Sequence, residues 1–145
     1  MAPKPYRVGR SRTGLGLFAT ASIAKGMFII AYKGRRISHA EAEKLEAHGS
    51  RYIYEINSRI SIDGSSRRNI ARYANHSCRP NACSDVVKGQ MILRAIKAIA
   101  PGDEITYDYG EEYFALFLAP VGCKCAKCTV ERRKAGSPQR NAKQR

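Results

Sequence analysis

The chain has 145 residues, of which 43% are apolar, enough for one globular domain with a modest core. It carries 26 Lys and Arg against 12 Asp and Glu, a formal net charge of +14. No apolar run approaches the roughly 18 residues that cross a bilayer, and residues 1–7 lack the apolar core of a secretion signal. These features argue against a membrane protein. We expect an intracellular one, in the cytoplasm or at the nucleoid or nucleus.

The excess of positive charge predicts anionic partners. A field of this sign attracts polyanions and slows the approach of other cations. Nucleic acid, or a protein already bound to nucleic acid, fits that field. Residues 131–145 hold six basic residues and one acidic residue, so the remainder still carries +9 (20 basic, 11 acidic). Charge therefore predicts the partners but assigns no chemistry.

Apolar and β-branched runs predict many short strands. The basic, proline-containing residues 1–13 are expected to lead as an arm into the first strand. Strands are predicted at residues 14–19, 27–37, 52–56, 61–63, 82–87, 91–96 and 104–109. The strands do not alternate with helices as in a doubly wound parallel sheet. The pattern favours a mainly β fold of the α+β class.

One helix and one hairpin have local signals. Ser38 and Glu41 have the spacing of a capping box, which predicts a short helix, and Gly49 fits its exit. Lys88-Gly89 separates two strand-like runs, which indicates a β-hairpin.

Two segments concentrate hydrogen-bonding side chains and tyrosine hydroxyls. Residues 72–81 read RYANHSCRPN, and residues 104–110 read EITYDYG. A lone Asn-His pair is more often a polar turn that caps its own backbone, and tyrosines in strands are more often packing residues. Gly14-Leu15-Gly16 alone indicates backbone freedom and lacks the third glycine of a dinucleotide site.

Taken together, these strings resemble the two signature segments of the SET-domain protein lysine methyltransferases, and the resemblance extends over about residues 7–130. It implies a SET fold of short β-sheets with few helices, in which the Asn-His segment passes beneath the Tyr-Asp-Tyr loop as a pseudoknot. It implies methyl transfer from S-adenosylmethionine to the ε-amine of a lysine in a histone or another basic protein. The domains it implies are an N-terminal arm (1–6), a SET domain (7–110), a post-SET zinc-binding tail (111–131) and a basic disordered tail (132–145).

The same resemblance assigns roles to side chains. Tyr109 and Tyr107 are the expected catalytic residues, with Tyr109 beside the transferring methyl group. Tyr32, Tyr54 and Tyr107 are expected to line the channel for the substrate lysine. The residues expected to contact S-adenosylmethionine are Arg12, Gly14, Leu15, Gly16, Tyr52, Arg72, Asn75, His76 and Tyr109.

The chemistry explains the need for tyrosines. The attacking amine must be neutral. Because a free lysine has a pKa near 10.4, deprotonating it at pH 7 costs about 4–5 kcal/mol. A narrow aromatic channel lowers that cost by desolvating the ammonium. A hydroxyl on Tyr107, where the family carries Tyr or Phe, takes up room and predicts mainly monomethylation.

Cysteines suggest a structural metal. The chain has five, an odd number without a signal peptide, and Cys123, Cys125 and Cys128 are clustered. Zinc favours four tetrahedral ligands, and either Cys78 or Cys83 could be the fourth. The resemblance selects Cys78. Only two residues separate Cys125 from Cys128, where the family has four, and three reduced thiols are the alternative.

A second hypothesis belongs to another class of protein. A non-catalytic, zinc-stabilised basic module that binds nucleic acid or chromatin-like partners would explain the charge and the cysteines. It would not explain Asn75, His76 and the tyrosine group.

Overall fold

A computed structural model describes residues 3–110, and residues 1–2 and 111–145 lie outside the described part. The protein is built mainly of short strands, which confirms the predicted mainly β SET-type fold. The elements are β1 (Tyr6–Ser11), β2 (Gly14–Ala19), β3 (Phe28–Tyr32), β4 (Arg35–Ser38), α1 (His39–Ala47), β5 (Ile53–Glu55), β6 (Ile60–Asp63), a 3-10 turn (Ile70–Tyr73), β7 (Asn75–His76), β8 (Ala82–Val87), β9 (Gln90–Ala95) and β10 (Glu104–Tyr107).

Within residues 3–110 the strands form two sheets. The larger has the order β1-β2-β10-β8-β9-β3, and β7 joins it beside β10. The smaller has the order β4-β6-β5. Among the described strands all pairs are antiparallel, except that β10 runs parallel to both β7 and β8. Because parallel neighbours need a long connection, β10 brings together segments that are far apart in the chain.

Several strand predictions were wrong in extent, and the strand expected over residues 104–109 ends at Tyr107. Residues 27–37 form two strands, β3 and β4, with a break at Lys33-Gly34. The break is imposed by packing, since Asn69 accepts the Lys33 N–H at 2.9 Å and a β-carbon at Gly34 would collide with the Asp63 carbonyl. Residues 6–11, expected within the basic arm, form β1 instead, and six residue pairs join it to β2.

The local signals were confirmed. The Ser38 hydroxyl accepts a hydrogen bond from the Glu41 N–H at 3.1 Å, which is the N-cap bond of a capping box, while the Glu41 carboxylate accepts from Arg35 at 3.0 Å. Gly49 has a φ of +96° after the helix ends. Lys88 and Gly89 both have positive φ, at 52° and 76°, which suits a two-residue hairpin turn between β8 and β9.

One hydrophobic core unites the two sheets. It holds Ile62 of the smaller sheet together with Leu17, Leu93 and Ile105 of the larger. Burying each of these side chains contributes about 1.5–3 kcal/mol. Tyr32 and Tyr107 belong to the same core, while Tyr54 and Tyr109 pack against it, so the core supports all four expected tyrosines. Within residues 3–110 no helix combines the length and apolar character needed to cross a bilayer.

Candidate active site

The two signature strings lie side by side where β7 meets β10. Asn75 is paired with Thr106, and His76 with Tyr107. The Ser77 N–H continues the ladder by donating to the Tyr107 carbonyl at 3.1 Å. The segment implied by the resemblance to pass beneath the tyrosine loop is therefore in direct contact with it.

Tyr109 is held at both ends. Its backbone N–H donates to Nδ1 of His76 at 3.1 Å, and its hydroxyl donates to the Ala74 carbonyl at 2.6 Å. Its ring lies 5.3 Å from the His76 ring and 4.8 Å from the Tyr107 ring. Because the hydroxyl proton is directed at Ala74, the phenolic oxygen can meet a substrate amine as an acceptor.

His76 acts in this structure as an acceptor. A neutral imidazole that accepts at Nδ1 carries its proton on Nε2, which lies 3.3 Å from the Cys78 sulfur. Burial lowers the pKa of His76 below its ordinary value, and the Asp108 carboxylate, 3.8 Å away, partly opposes that shift. The neutral ring therefore fixes the backbone of Tyr109.

Asn75 connects the glycine turn to β10. Its side-chain nitrogen Nδ2 donates toward Glu104 Oε2 at 2.8 Å, the Leu15 carbonyl at 3.0 Å and Ser11 Oγ at 3.2 Å. A β-carbon at Gly16 would lie 2.5 Å from the same Glu104 oxygen. The Asn75 side chain thus binds the protein itself, and the sequence did not reveal that Ser11 and Glu104 take part.

The remaining expected cofactor residues surround this turn or β5. Gly14 has a φ of +122° with nothing within 4 Å of a β-carbon position, while Arg12 is exposed in the turn before it. The Arg72 guanidinium lies 4.2 Å from the Tyr52 ring centroid and donates to the Ser65 carbonyl at 2.7 Å. Its Nε is buried without a hydrogen-bond partner among the described residues.

The expected channel tyrosines form a second pair. The Tyr32 hydroxyl donates to the Tyr52 carbonyl at 2.7 Å, and the Tyr54 hydroxyl donates to Ser84 Oγ at 3.0 Å. Their ring centroids are 6.2 Å apart. As at Tyr109, each proton is donated to the protein, so each oxygen is oriented to accept.

Sequence reasoning also missed two asparagines that bind backbone. Asn81 donates to the Glu104 carbonyl at 2.8 Å and accepts from the Thr106 N–H at 3.0 Å, so it replaces a strand neighbour for β10. Asn69 makes two similar bonds near Tyr32. Asn81 closes the RYANHSCRPN string and could have been noticed there, whereas nothing local distinguishes Asn69.

Of the four expected zinc ligands, the structure describes only Cys78, which is half-buried. Cys123, Cys125 and Cys128 lie outside the described residues. Within residues 3–110 no group of three His, Cys, Asp or Glu side chains is arranged to hold a metal ion. The zinc site stays a prediction.

Comparison with known proteins gives one family and many relatives. A family model described as SET domain matches residues 14–110. A protein named histone-lysine N-methyltransferase, H3 lysine-4 specific, from Neurospora crassa is 35% identical over 133 residues, which cover 84% of this chain and 10% of that protein. Histone-lysine N-methyltransferase trithorax from Drosophila virilis is 37% identical over 124 residues, or 79% of this chain and 3% of that protein. The chain thus spans a tenth or less of the length of these two relatives.

Solved structures agree with the family. A humanized mutant of the Chaetomium thermophilum Polycomb Repressive Complex 2 superimposes with a TM-score of 0.67 at 31% identity, covering 75% of this chain and 15% of that chain. An active polycomb repressive complex 2 in the stimulated state gives a TM-score of 0.71 at 30% identity, covering 80% of this chain and 16% of that chain.

Proposed function

The chain belongs to the SET-domain family, and we propose that it is a protein-lysine N-methyltransferase that uses S-adenosylmethionine. The observation that carries the proposal is the anchoring of Tyr109, whose backbone is bound by His76 and whose hydroxyl is bound by Ala74. A rigid tyrosine oxygen that can only accept is suited to orienting the N–H of a neutral amine.

The residues around the glycine turn fit the cofactor. Gly14 leaves open space, while Gly16 has no room for a side chain. Because glycine has no β-carbon, a ligand can approach the backbone of this turn closely. We assign the binding surface to the 14–16 backbone, the main chain of Asn75 and His76, Arg12, and the stacked pair Tyr52 and Arg72. When bound, S-adenosylmethionine supplies a methyl group activated by a sulfonium.

The chain's own part is to prepare the lysine. The aromatic walls formed by Tyr32, Tyr54 and Tyr107 desolvate the ammonium, which favours its neutral form. The proton leaves to solvent, and the Tyr109 oxygen accepts a remaining N–H so that the amine lone pair points at the methyl carbon. Tyr107 is 7% exposed, and its hydroxyl narrows the space for an amine that already carries a methyl group, so we propose monomethylation as the main outcome.

We assign a structural zinc to Cys78, Cys123, Cys125 and Cys128. Of these four cysteines, only Cys78 lies within the described residues. A set of four thiolates suits Zn²⁺, and the Cys-x2-Cys spacing is a common one. Such a site would tie the tail to the segment that carries Asn75 and His76, and it would stabilise the fold without taking part in methyl transfer.

We propose that the substrate is a histone or another basic protein. The relatives are named for histone lysine, and one for lysine 4 of histone H3. A chain of charge +14 repels a bare basic tail, so a substrate bound to nucleic acid inside the cell is the better match. The same charge supports non-specific contact with nucleic acid, and together with the cysteines it favours the alternative of a non-catalytic basic binding module.

The test uses the full chain with zinc supplied, methyl-labelled S-adenosylmethionine and a panel of basic proteins, free or bound to DNA. We expect label on a lysine ε-amine, located by mass spectrometry, with stronger labelling of the DNA-bound substrate. Retention of DNA without any labelled lysine would favour the binding module instead.

A further inference from the structure

Asn69 is a buried polar side chain to which no catalytic or binding role has been assigned. It is 1% exposed, and both ends of its amide are used. Its Oδ1 accepts from the Lys33 N–H at 2.9 Å, and its Nδ2 donates to the Gly64 carbonyl at 3.0 Å. A buried amide that satisfies two backbone groups in different segments holds those segments at a fixed separation.

The first of these bonds fixes the backbone of Tyr32. The Lys33 N–H belongs to the peptide unit that links Tyr32 to Lys33, at the break between β3 and β4. The bond from Asn69 therefore sets the plane of that peptide and the direction in which the Tyr32 side chain leaves the strand.

The second bond reaches the other end of Tyr32. Gly64, whose carbonyl Asn69 binds, donates its own N–H to the Tyr52 carbonyl at 2.9 Å. The Tyr32 hydroxyl donates to that same carbonyl at 2.7 Å. Gly64 also lies against the Tyr32 ring, because a β-carbon there would stand 2.5 Å from the ring atom Cζ.

We infer that Asn69 is a positioning residue that sets the place of the Tyr32 ring and hydroxyl in the lysine channel. The inference rests on the proposed function for the channel itself. The amide suits this place because its acceptor and its donor are separate atoms, so Oδ1 binds the Lys33 N–H while Nδ2 binds the Gly64 carbonyl. An aspartate would keep the bond from Lys33 but face the Gly64 carbonyl with a second acceptor.

The test compares Asn69→Asp with Asn69→Ser, whose shorter side chain has one polar atom where the amide has two and so cannot take the places of both Oδ1 and Nδ2. Asn57→Ala is the control, since the Asn57 side chain likewise binds two backbone groups, accepting from the Arg59 and Ile60 N–H groups at 2.8 and 2.9 Å, but at the opposite end of the β5–β6 hairpin. We expect each Asn69 variant that folds to lower kcat/KM for a lysine peptide on the order of 10²-fold, chiefly by raising KM, because the ring is misplaced. The Kd for S-adenosylmethionine should stay unchanged, and Asn57→Ala should leave all three constants unchanged.

A double variant tests whether Asn69 acts through Tyr32. If Asn69 acts through Tyr32, adding Tyr32→Phe to an Asn69 variant should cost less than the two single losses combined. Additive losses, or an unchanged KM for the peptide in a folded Asn69 variant, would overturn the inference.

Spectra of the protein with ¹³C-labelled tyrosine separate this inference from the proposed function. We expect the Tyr32 ring signal to shift in the Asn69 variants, while the signal of Tyr6 on β1 does not. A wild-type chain that transfers no methyl group would contradict the proposed function, and the Tyr32 signal would still decide whether Asn69 positions that ring.

Discussion

The backbone N–H of Tyr109 donates to Nδ1 of His76 at 3.1 Å, so the imidazole of one signature string fixes the main chain of the other. Since the Tyr109 hydroxyl is bound at the same time to Ala74 of that string, the tyrosine has little freedom to turn. The His76 side chain thus holds the tyrosine loop in place, and the Asn75 side chain holds the glycine turn.

Replacing His76 should therefore damage catalysis through Tyr109. His76→Ala leaves the Tyr109 N–H without its acceptor, and we expect a loss of about 1–3 kcal/mol in the free energy of unfolding. A displaced Tyr109 should lower kcat on the order of 10²-fold. Urea unfolding and a methyl-transfer assay measure the two effects. His39→Ala, which removes an exposed imidazole 3.5 Å from Glu43, is the control, and a normal kcat in His76→Ala would refute this role.

Breaking the contact between Asn75 and Glu104 should weaken cofactor binding. Asn75→Asp loses the donor to Leu15 and places a second carboxylate beside Glu104, so the 14–16 turn should move away from β7. We expect the Kd for S-adenosylmethionine to rise about tenfold, the equivalent of one hydrogen bond. Isothermal titration calorimetry measures it. Ser11→Ala removes the longest of the three contacts and should change the Kd less, so the opposite order of the two variants would contradict the assignment.

Tyr107→Phe should change the product and leave the rate of the first methyl transfer similar. Removing the hydroxyl gives a methylated amine room to re-enter the channel, so we expect a larger fraction of dimethyl-lysine by mass spectrometry. Tyr6→Phe is the control, because Tyr6 lies on β1, which carries none of the expected channel residues. An unchanged ratio of monomethyl to dimethyl product would show that Tyr107 does not limit methylation.

Cys78→Ser should remove the metal. If Cys78 is the fourth ligand, the variant should bind about one zinc fewer per chain by elemental analysis and lose stability, because metal binding and folding are coupled. Cys83→Ser should keep its zinc. Equal zinc contents in the two variants would assign the site to other residues.

Local features of the fold could be predicted from the sequence, and long-range features could not. The capping box at Ser38 and the turn at Lys88-Gly89 depend on residues within three positions of each other. The break at Lys33 depends on Asn69, 36 positions away, so an apolar run alone predicts an uninterrupted strand.

The candidate site likewise contains residues that the sequence identified and partners that it did not. The family resemblance of the two strings identified Asn75, His76 and Tyr109, although a lone Asn-His pair or a strand tyrosine is ordinarily structural. Their partners stay hidden, since Ser11 is 64 positions and Glu104 is 29 positions from Asn75. The pairings of β1 with β2, of β2 with β10 and of β10 with β7 bring these groups together, and no local pattern specifies the last two.

In the proposed mechanism the Tyr109 hydroxyl is the group that orients the amine toward the methyl carbon. The decisive measurement is single-turnover transfer of a labelled methyl group to a lysine peptide by wild type, Tyr109→Phe and the control Tyr6→Phe, with cofactor binding measured on each. We predict that Tyr109→Phe binds S-adenosylmethionine normally but transfers methyl at a rate lower by about 10²-fold or more, while Tyr6→Phe matches wild type. Transfer by Tyr109→Phe at the wild-type rate would contradict the account.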